Sequence, residues 1–174
     1  MATSTVAEDI ADWLHEKGIT HAFGIIGGGN VALWDAIARL GKTKIVAVHH
    51  EQAAAMSASY YARASGRMAL ALVTTGAGSS NAVTGVLAAW MDGTPLIVIS
   101  GNEASNTMSS DTRVWGVQGY GSAETAEHFT QLSVRAMYPA EALEALDRAY
   151  RIAMKAPQGP VWVDIPKDIQ NASA

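Results

Sequence analysis

The chain has 174 residues, an ordinary length for one domain with a core of its own, and we expect a single domain over residues 1–174. Its formal net charge of −4 at pH 7 leaves no basic face, which argues against a nucleic-acid ligand. Cysteine is absent, which excludes disulfides and thiol catalysis. No apolar run approaches the ~18 residues of a membrane helix. Together these features favour a cytoplasmic protein.

The first quarter of the chain predicts two helices around a strand. Thr5 and Glu8 fit a capping box that opens an amphipathic helix, and the apolar run at 20–26 predicts a strand. Asn30 is expected to cap the next helix. Between strand and helix, Gly27 to Gly29 form either a tight turn or a ligand-binding loop, and the sequence leaves both open.

The rest of the chain predicts a parallel sheet covered by helices. Short apolar runs with β-branched residues alternate with segments of helical length, which is the pattern of βαβ units. Strands are expected at residues 20–26, 45–48, 68–73, 96–100 and 161–165, and those at 45–48, 68–73 and 96–100 have the length and β-branched content of buried parallel strands. The fold class that follows is α/β: a three-layer α/β/α domain with a doubly wound, mostly parallel sheet of about six strands.

Glu51 stands where the strand at 45–48 gives way to its helix, which in open α/β sheets is the ligand-binding end of a strand. A zinc site of the H-E-x-x-H type is not supported, because Ala54 occupies the position of the second histidine. A purely structural interpretation is a carboxylate stabilised by the helix dipole. The small residues at 53–55 would let another backbone approach, which favours a binding role.

A second glycine-containing turn, TTGAGSSN, covers Thr74 to Asn81. It is close to the G-x-G-x-x-G of Rossmann nucleotide sites, but Asn81 replaces the third glycine and no suitably placed acid follows to bind a ribose. A flavodoxin-like nucleotide-binding protein therefore ranks last among the functions considered.

Three longer segments carry a family resemblance. They are HHEQAAAMSASYYARASGR at 49–67, VTTGAGSSNAVTGVLAAWMDGTPLIVISG at 73–101 and GPVWVDIPKDIQ at 159–170. Together they resemble the flavodoxin-like pyrimidine-binding (PYR) domain of thiamine-diphosphate enzymes of the acetolactate synthase and 2-oxo-acid decarboxylase group. In the last segment, Asp164 and Asp168 are expected to have structural roles.

The resemblance implies a set of site residues. Glu51 matches the catalytic glutamate, which hydrogen-bonds the N1′ atom of the cofactor's aminopyrimidine and so helps to remove the thiazolium C2 proton. Asn81 is expected to brace its turn. Ile26 and Ala77 stand where the family has proline. The implied cofactor-binding residues are Ile26, Gly27, Glu51, Thr75, Gly76 and Asn81, and the implied substrate contacts are Gly28 and Gln118.

The motifs that bind the diphosphate in this family, GDG and a later NN, do not occur in the chain. No acid cluster offers the oxygens that Mg²⁺ requires, so no metal site is expected here. We therefore expect a separate diphosphate-binding (PP) module to hold Mg²⁺. The low charged fraction of 16% predicts a large interface, and the expected assembly is a heterotetramer of two PYR and two PP subunits.

The leading functional hypothesis is a PYR subunit of a split thiamine-diphosphate enzyme, active only with its PP partner. It would decarboxylate a 2-oxo acid and then protonate the enamine or transfer it to an acceptor carbonyl. One alternative is the excised N-terminal domain of a longer acetolactate synthase-like enzyme. Another is a non-catalytic interaction module that retained the fold.

Overall fold

The computed structural model describes residues 4–173, which form six β-strands and seven α-helices. The strands are β1 (His21–Gly24), β2 (Lys44–Ala47), β3 (Leu70–Val73), β4 (Ile97–Asn102), β5 (Leu132–Arg135) and β6 (Val161–Pro166). The helices are α1 (Val6–Glu16), α2 (Val31–Leu40), α3 (Glu51–Ser65), α4 (Ala77–Met91), α5 (Ser122–Ala126), α6 (Pro139–Met154) and α7 (Lys167–Asn171).

The sheet is parallel throughout, with strand order β2-β1-β3-β4-β6-β5. The chain moves outward from β1 to β2 and then returns to the other side of β1 to form β3. This reversal is the topological switch point of a doubly wound sheet, where a crevice opens at the carboxyl ends of the strands. The predicted α/β class and three-layer architecture are confirmed.

Residues of each central strand alternate between two cores. Leu70 and Leu72 of β3 face the core covered by α1, α2 and α6, whereas Ala71 and Val73 face the core covered by α3 and α4. The second core is rich in alanine, so α3 and α4 approach closely. A Cβ atom at Gly85 of α4 would lie 2.6 Å from Cβ of Ala55.

Three single elements show where the sequence-based predictions hold and where they fail. The capping box at Thr5 and Glu8 is confirmed. The strand at 45–48 was expected to be buried, which is wrong: β2 lies at the edge of the sheet and is half-exposed, because only one side has a neighbouring strand. The other edge strand, β5, was not located from the sequence.

The last strand is fixed by a buried charge. Asp164 is fully buried and accepts hydrogen bonds from Ser100 Oγ at 2.6 Å, Asn102 Nδ2 at 2.8 Å and Arg135 Nε at 2.7 Å. Asp168 accepts from the backbone N–H and hydroxyl of Ser105. Both aspartates therefore have the structural contacts expected of them.

Within residues 4–173, no helix is both long enough and apolar enough to cross a membrane.

Candidate functional site

The glycine loop after β1 and the threonine–glycine turn after β3 meet at the switch point. The backbone N–H of Gly29 donates to Thr74 Oγ1 at 3.1 Å, which ties the loop to the turn. The carbonyl of Gly29 accepts from Gln170 Nε2 at 2.7 Å, which ties the same loop to α7. Two elements that are far from the loop in the sequence, the turn after β3 and α7, thus fix one short piece of its backbone.

Asn30 holds the shape of the glycine loop. Its side chain is buried, with Oδ1 accepting from the Gly27 N–H at 2.8 Å and Nδ2 donating to the Ile25 carbonyl at 3.0 Å. Asn30 occupies the N-cap position of α2, but its side chain makes no capping hydrogen bond. The predicted capping role is therefore wrong, because the amide bonds backward into the loop.

The three glycines of the loop differ in their surroundings. A Cβ atom at Gly27 would lie 2.5 Å from Thr74 Oγ1, and one at Gly29 would collide with the Thr75 hydroxyl. A Cβ atom at Gly28 would have no atom within 4 Å. Gly27 and Gly29 are therefore required by close packing, whereas Gly28 faces open space. Ile26, which precedes them, is half-exposed.

Glu51 is the first residue of α3, yet its side chain does not serve as the cap of that helix. The Nδ1 atom of His50 accepts from the Gln52 N–H and provides the cap. Glu51 is only 8% exposed, and its Oε2 accepts from Asn81 Nδ2 at 3.0 Å. No hydrogen bond from residues 4–173 reaches Oε1. This buried, half-satisfied carboxyl group is unlike an exposed helix-start carboxylate.

The first turn of α4 is packed against this carboxyl group. A Cβ atom at Gly78 would lie 3.2 Å from Glu51 Oε1, so that glycine keeps the approach to the free oxygen open. Asn81 was expected to brace its own turn, and this expectation is wrong. Its amide instead fixes Glu51, while the hydroxyl and N–H of Ser79 both donate to the Gly76 carbonyl and close the turn.

The side chain of Gln118 contacts the turn that follows β3. Its Nε2 donates to the Thr75 carbonyl at 3.0 Å, and a Cβ atom at Gly76 would lie 2.8 Å from the Gln118 carbonyl oxygen. Gly76 has φ +67°, a conformation that favours glycine. This contact brings the loop that contains Gln118 to the switch point.

An open cavity of about 250 Å³ lies between these elements. Its lining residues are Gly28, Gly29, Thr75, Glu103, Val117, Gln118 and Lys167. The structure thus brings Gly28, Thr75 and Gln118 to one cavity. Glu51 and Asn81 do not line it; they form a separate pair beside Gly78.

Two residues of the cavity wall, Glu103 and Lys167, were not singled out from the sequence. The Nζ atom of Lys167 lies 2.6 Å from Glu103 Oε2, and this hydrogen bond holds the pKa of Glu103 below its ordinary value of 4.5. Lys167 belongs to the motif at 159–170, and Glu103 follows the carboxyl end of β4, which are the signals that could have identified them. Within residues 4–173, no three His, Cys, Asp or Glu side chains are grouped to hold a metal ion.

Comparisons with known proteins identify the family to which the sequence is similar. Residues 4–136 match the family described as thiamine pyrophosphate enzyme, N-terminal TPP binding domain. The acetolactate synthase large subunit of Haemophilus influenzae is 37% identical over 166 residues, which cover 95% of this chain and 28% of that protein. The acetolactate synthase of Arthrospira platensis is 34% identical, over 97% of this chain and 29% of that protein.

A third relative is acetolactate synthase isozyme 3 large subunit of Escherichia coli, 34% identical over 95% of this chain and 28% of its own length. The chain therefore spans less than a third of the curated relatives it matches.

Proposed function

The chain belongs to the thiamine pyrophosphate enzyme family, in which it is an N-terminal TPP-binding domain, and we propose that it forms the pyrimidine-binding half of a catalytic thiamine diphosphate site. In this proposal Glu51 is the catalytic residue. Ile26, Gly27, Thr75, Gly76 and Asn81 contact the cofactor with it. The remainder of the site belongs to a PP module outside this chain, which holds the diphosphate and its Mg²⁺.

The observation that carries the proposal is the state of the Glu51 carboxyl group. One oxygen is fixed by Asn81, and the other has no hydrogen-bond partner among residues 4–173. Because the Glu51 residue is only 8% exposed, its carboxyl group has little access to water, and a ligand donor or acceptor at Oε1 would complete its hydrogen bonding. A ring nitrogen of an aminopyrimidine fits this requirement, because it can share one proton with a carboxyl oxygen.

The role of Glu51 would be to hold that shared proton at N1′ while Asn81 fixes the orientation of the carboxyl plane. The glycine loop and the Thr75–Gly76 turn offer backbone at close range, which suits a flat ring. When bound, thiamine diphosphate supplies the electron sink for bond cleavage next to a carbonyl carbon.

The outer face of α3 and α4 supports an interface with the PP module. Neither α4 nor the stretch of α3 between Glu51 and Arg63 contains a charged residue. The exposed residues of this α3–α4 face are Ala53, Tyr60, Ala77, Ser80, Thr84, Leu87, Ala88, Trp90 and Met91. Tyr60 is 66% exposed and Met91 is 78% exposed. A surface of this kind is typical of a stable protein interface.

We propose that two copies of this chain and two PP modules form the assembly, whether the PP module is a separate subunit or another part of a longer polypeptide. The completed enzyme would decarboxylate a 2-oxo acid and protonate the product or transfer it to an acceptor carbonyl. Gly28 and Gln118 would contact the substrate, since both line the open cavity at the switch point. The similarity to proteins named as acetolactate synthases supports this class of reaction.

The decisive experiment combines this chain with its PP module, thiamine diphosphate and Mg²⁺, and measures CO₂ release from a panel of 2-oxo acids. We expect turnover by the wild-type assembly and a loss of about 10²- to 10⁴-fold in Glu51→Gln. The matched control is Glu144→Gln, which makes the same chemical change at an exposed position of α6. We expect the control to retain wild-type turnover.

A second candidate function, a non-catalytic interaction module, is favoured by the uncharged α3–α4 face alone. It predicts assembly without turnover. If the assembly forms and releases no CO₂, or if Glu51→Gln is as active as the wild type, the catalytic proposal is wrong.

A further inference from the structure

The loop between β4 and α5 ends in a tight turn, residues 115–119, which we call the 115–119 turn. Its ends are joined by two backbone hydrogen bonds between Trp115 and Gly119, at 2.9 and 2.8 Å. The Trp115 ring lies under the guanidinium group of Arg135, 4.6 Å from the ring centroid. The tip of the turn presents Gln118 to the Thr75 carbonyl and the open cavity.

The 115–119 turn is packed directly on the side chain of Glu103. A Cβ atom at Gly116 would lie 2.8 Å from Glu103 Oε2, and a Cβ atom at Gly119 would lie 2.8 Å from Glu103 Cγ. Gly116 also has φ +53°, which favours glycine. Both glycines therefore let the turn close around this carboxylate.

Glu103 is 7% exposed and has donors on two sides. Lys167 donates from α7 at 2.6 Å. The backbone N–H groups of Gln118 and Val117 interact with the same carboxylate from the turn and help to lower its pKa. The carboxylate therefore has a charged hydrogen bond to α7 on one side and the closely packed backbone of the turn on the other, and it joins the two.

We propose that Glu103 is a positioning residue, which with Lys167 holds the 115–119 turn closed and thereby fixes Gln118 at the wall of the cavity. The inference rests on the proposed function only where it assigns Gln118 a contact with the substrate. Glu103 acts through the turn and touches no reacting group.

The first test measures hydrogen–deuterium exchange in the purified protein. We expect exchange of the peptide covering residues 115–119 to be about 5- to 20-fold faster in Glu103→Gln and in Lys167→Met, because each change removes the charged hydrogen bond between these two residues. The control is Asp111→Asn, an exposed acid in the same loop. Exchange in β4 should remain unchanged in all three variants.

Unchanged exchange of the turn in Glu103→Gln would overturn the proposal. So would faster exchange spread equally over β3 and β4, because that would show a general loss of stability. Glu103→Gln preserves the shape of the side chain, and Lys167→Met leaves Glu103 itself intact, so the two variants report on the same contact from opposite sides.

The second test is a double-mutant cycle in the assembled enzyme. We expect Glu103→Gln and Gln118→Ala each to raise KM for the 2-oxo acid by about 5- to 10-fold, with kcat within about twofold. Since Glu103 acts through Gln118, adding Glu103→Gln to Gln118→Ala should raise KM by less than about twofold. Fully multiplicative effects would overturn the proposal. If the wild-type assembly has no turnover, the proposed function fails, and the exchange result still decides the role of Glu103.

Discussion

The two halves of the sheet's carboxyl edge are built by different interactions. Between β1 and β3, the glycine backbone packs so closely on the side chains of Thr74 and Thr75 that Gly27 and Gly29 have no room for a side chain. Between β4 and β6, the buried Asp164 and the Glu103–Lys167 pair connect strands, loops and α7 through charged hydrogen bonds. The first half provides close backbone for a ligand, and the second holds the surrounding loops in place.

The difference indicates how stability and function are divided. In the close-packed half, one carboxyl oxygen of Glu51 lacks a partner among residues 4–173, which leaves it available to the proposed ligand. In the charged half, Asp164 accepts three hydrogen bonds and is fully satisfied. Substitutions in the two halves should therefore affect different properties of the protein.

The largest effect on stability is expected from Asp164→Ala. Removing this buried carboxylate leaves Arg135 without its buried partner, and we expect the free energy of unfolding to fall by about 3–5 kcal/mol. Urea denaturation measures the change. Asp35→Asn, which breaks an exposed ion pair with Arg39, should cost less than about 0.5 kcal/mol. Equal costs for the two variants would contradict the assignment of stability to the buried charge.

A smaller effect is expected from overpacking the close-packed half. Gly29→Ala forces a Cβ atom against the Thr75 hydroxyl, and we expect a cost of about 1–3 kcal/mol. Gly28→Ala has open space and should change stability by less than about 0.5 kcal/mol. Thermal or urea unfolding of the two variants compares neighbouring glycines directly, and a reversed order would show that the loop packs differently.

The smallest expected effect is the pH dependence of the free energy of unfolding. Because Lys167 lowers the pKa of Glu103 in the folded state, Glu103 stabilises the protein above the ordinary value of 4.5, and this contribution is lost as pH falls through the folded-state pKa. We expect the free energy of unfolding of the wild type to exceed that of Glu103→Gln by about 1 kcal/mol at pH 7 and by less at pH 3.5. A difference that is constant between these pH values would argue against a charged contact.

Much of this arrangement was predictable from local sequence. Alternating apolar runs and helical segments located five of the strands, and the position of Glu51 after a strand placed it at the carboxyl edge of the sheet. The edge strand β5 was missed because it has only four residues, too few for its apolar–polar alternation to be distinctive.

The contacts that fix the site were not predictable, because they join residues far apart in the chain. Asn81 reaches Glu51 across 30 positions, and Lys167 reaches Glu103 across 64. No spacing rule for helices or strands encodes such pairs. Asn30 shows a related limit: its residue type suits both a helix cap and a loop brace, and only the three-dimensional structure distinguishes them.

The most direct test of the central claim is the rate at which the C2 proton of bound thiamine diphosphate exchanges with deuterated solvent in the assembled enzyme. If Glu51 holds the proton at N1′, exchange should be at least ~100-fold slower in Glu51→Gln than in the wild type, with the cofactor still bound and Glu144→Gln unaffected. Equal exchange rates in Glu51→Gln and wild type would contradict the account.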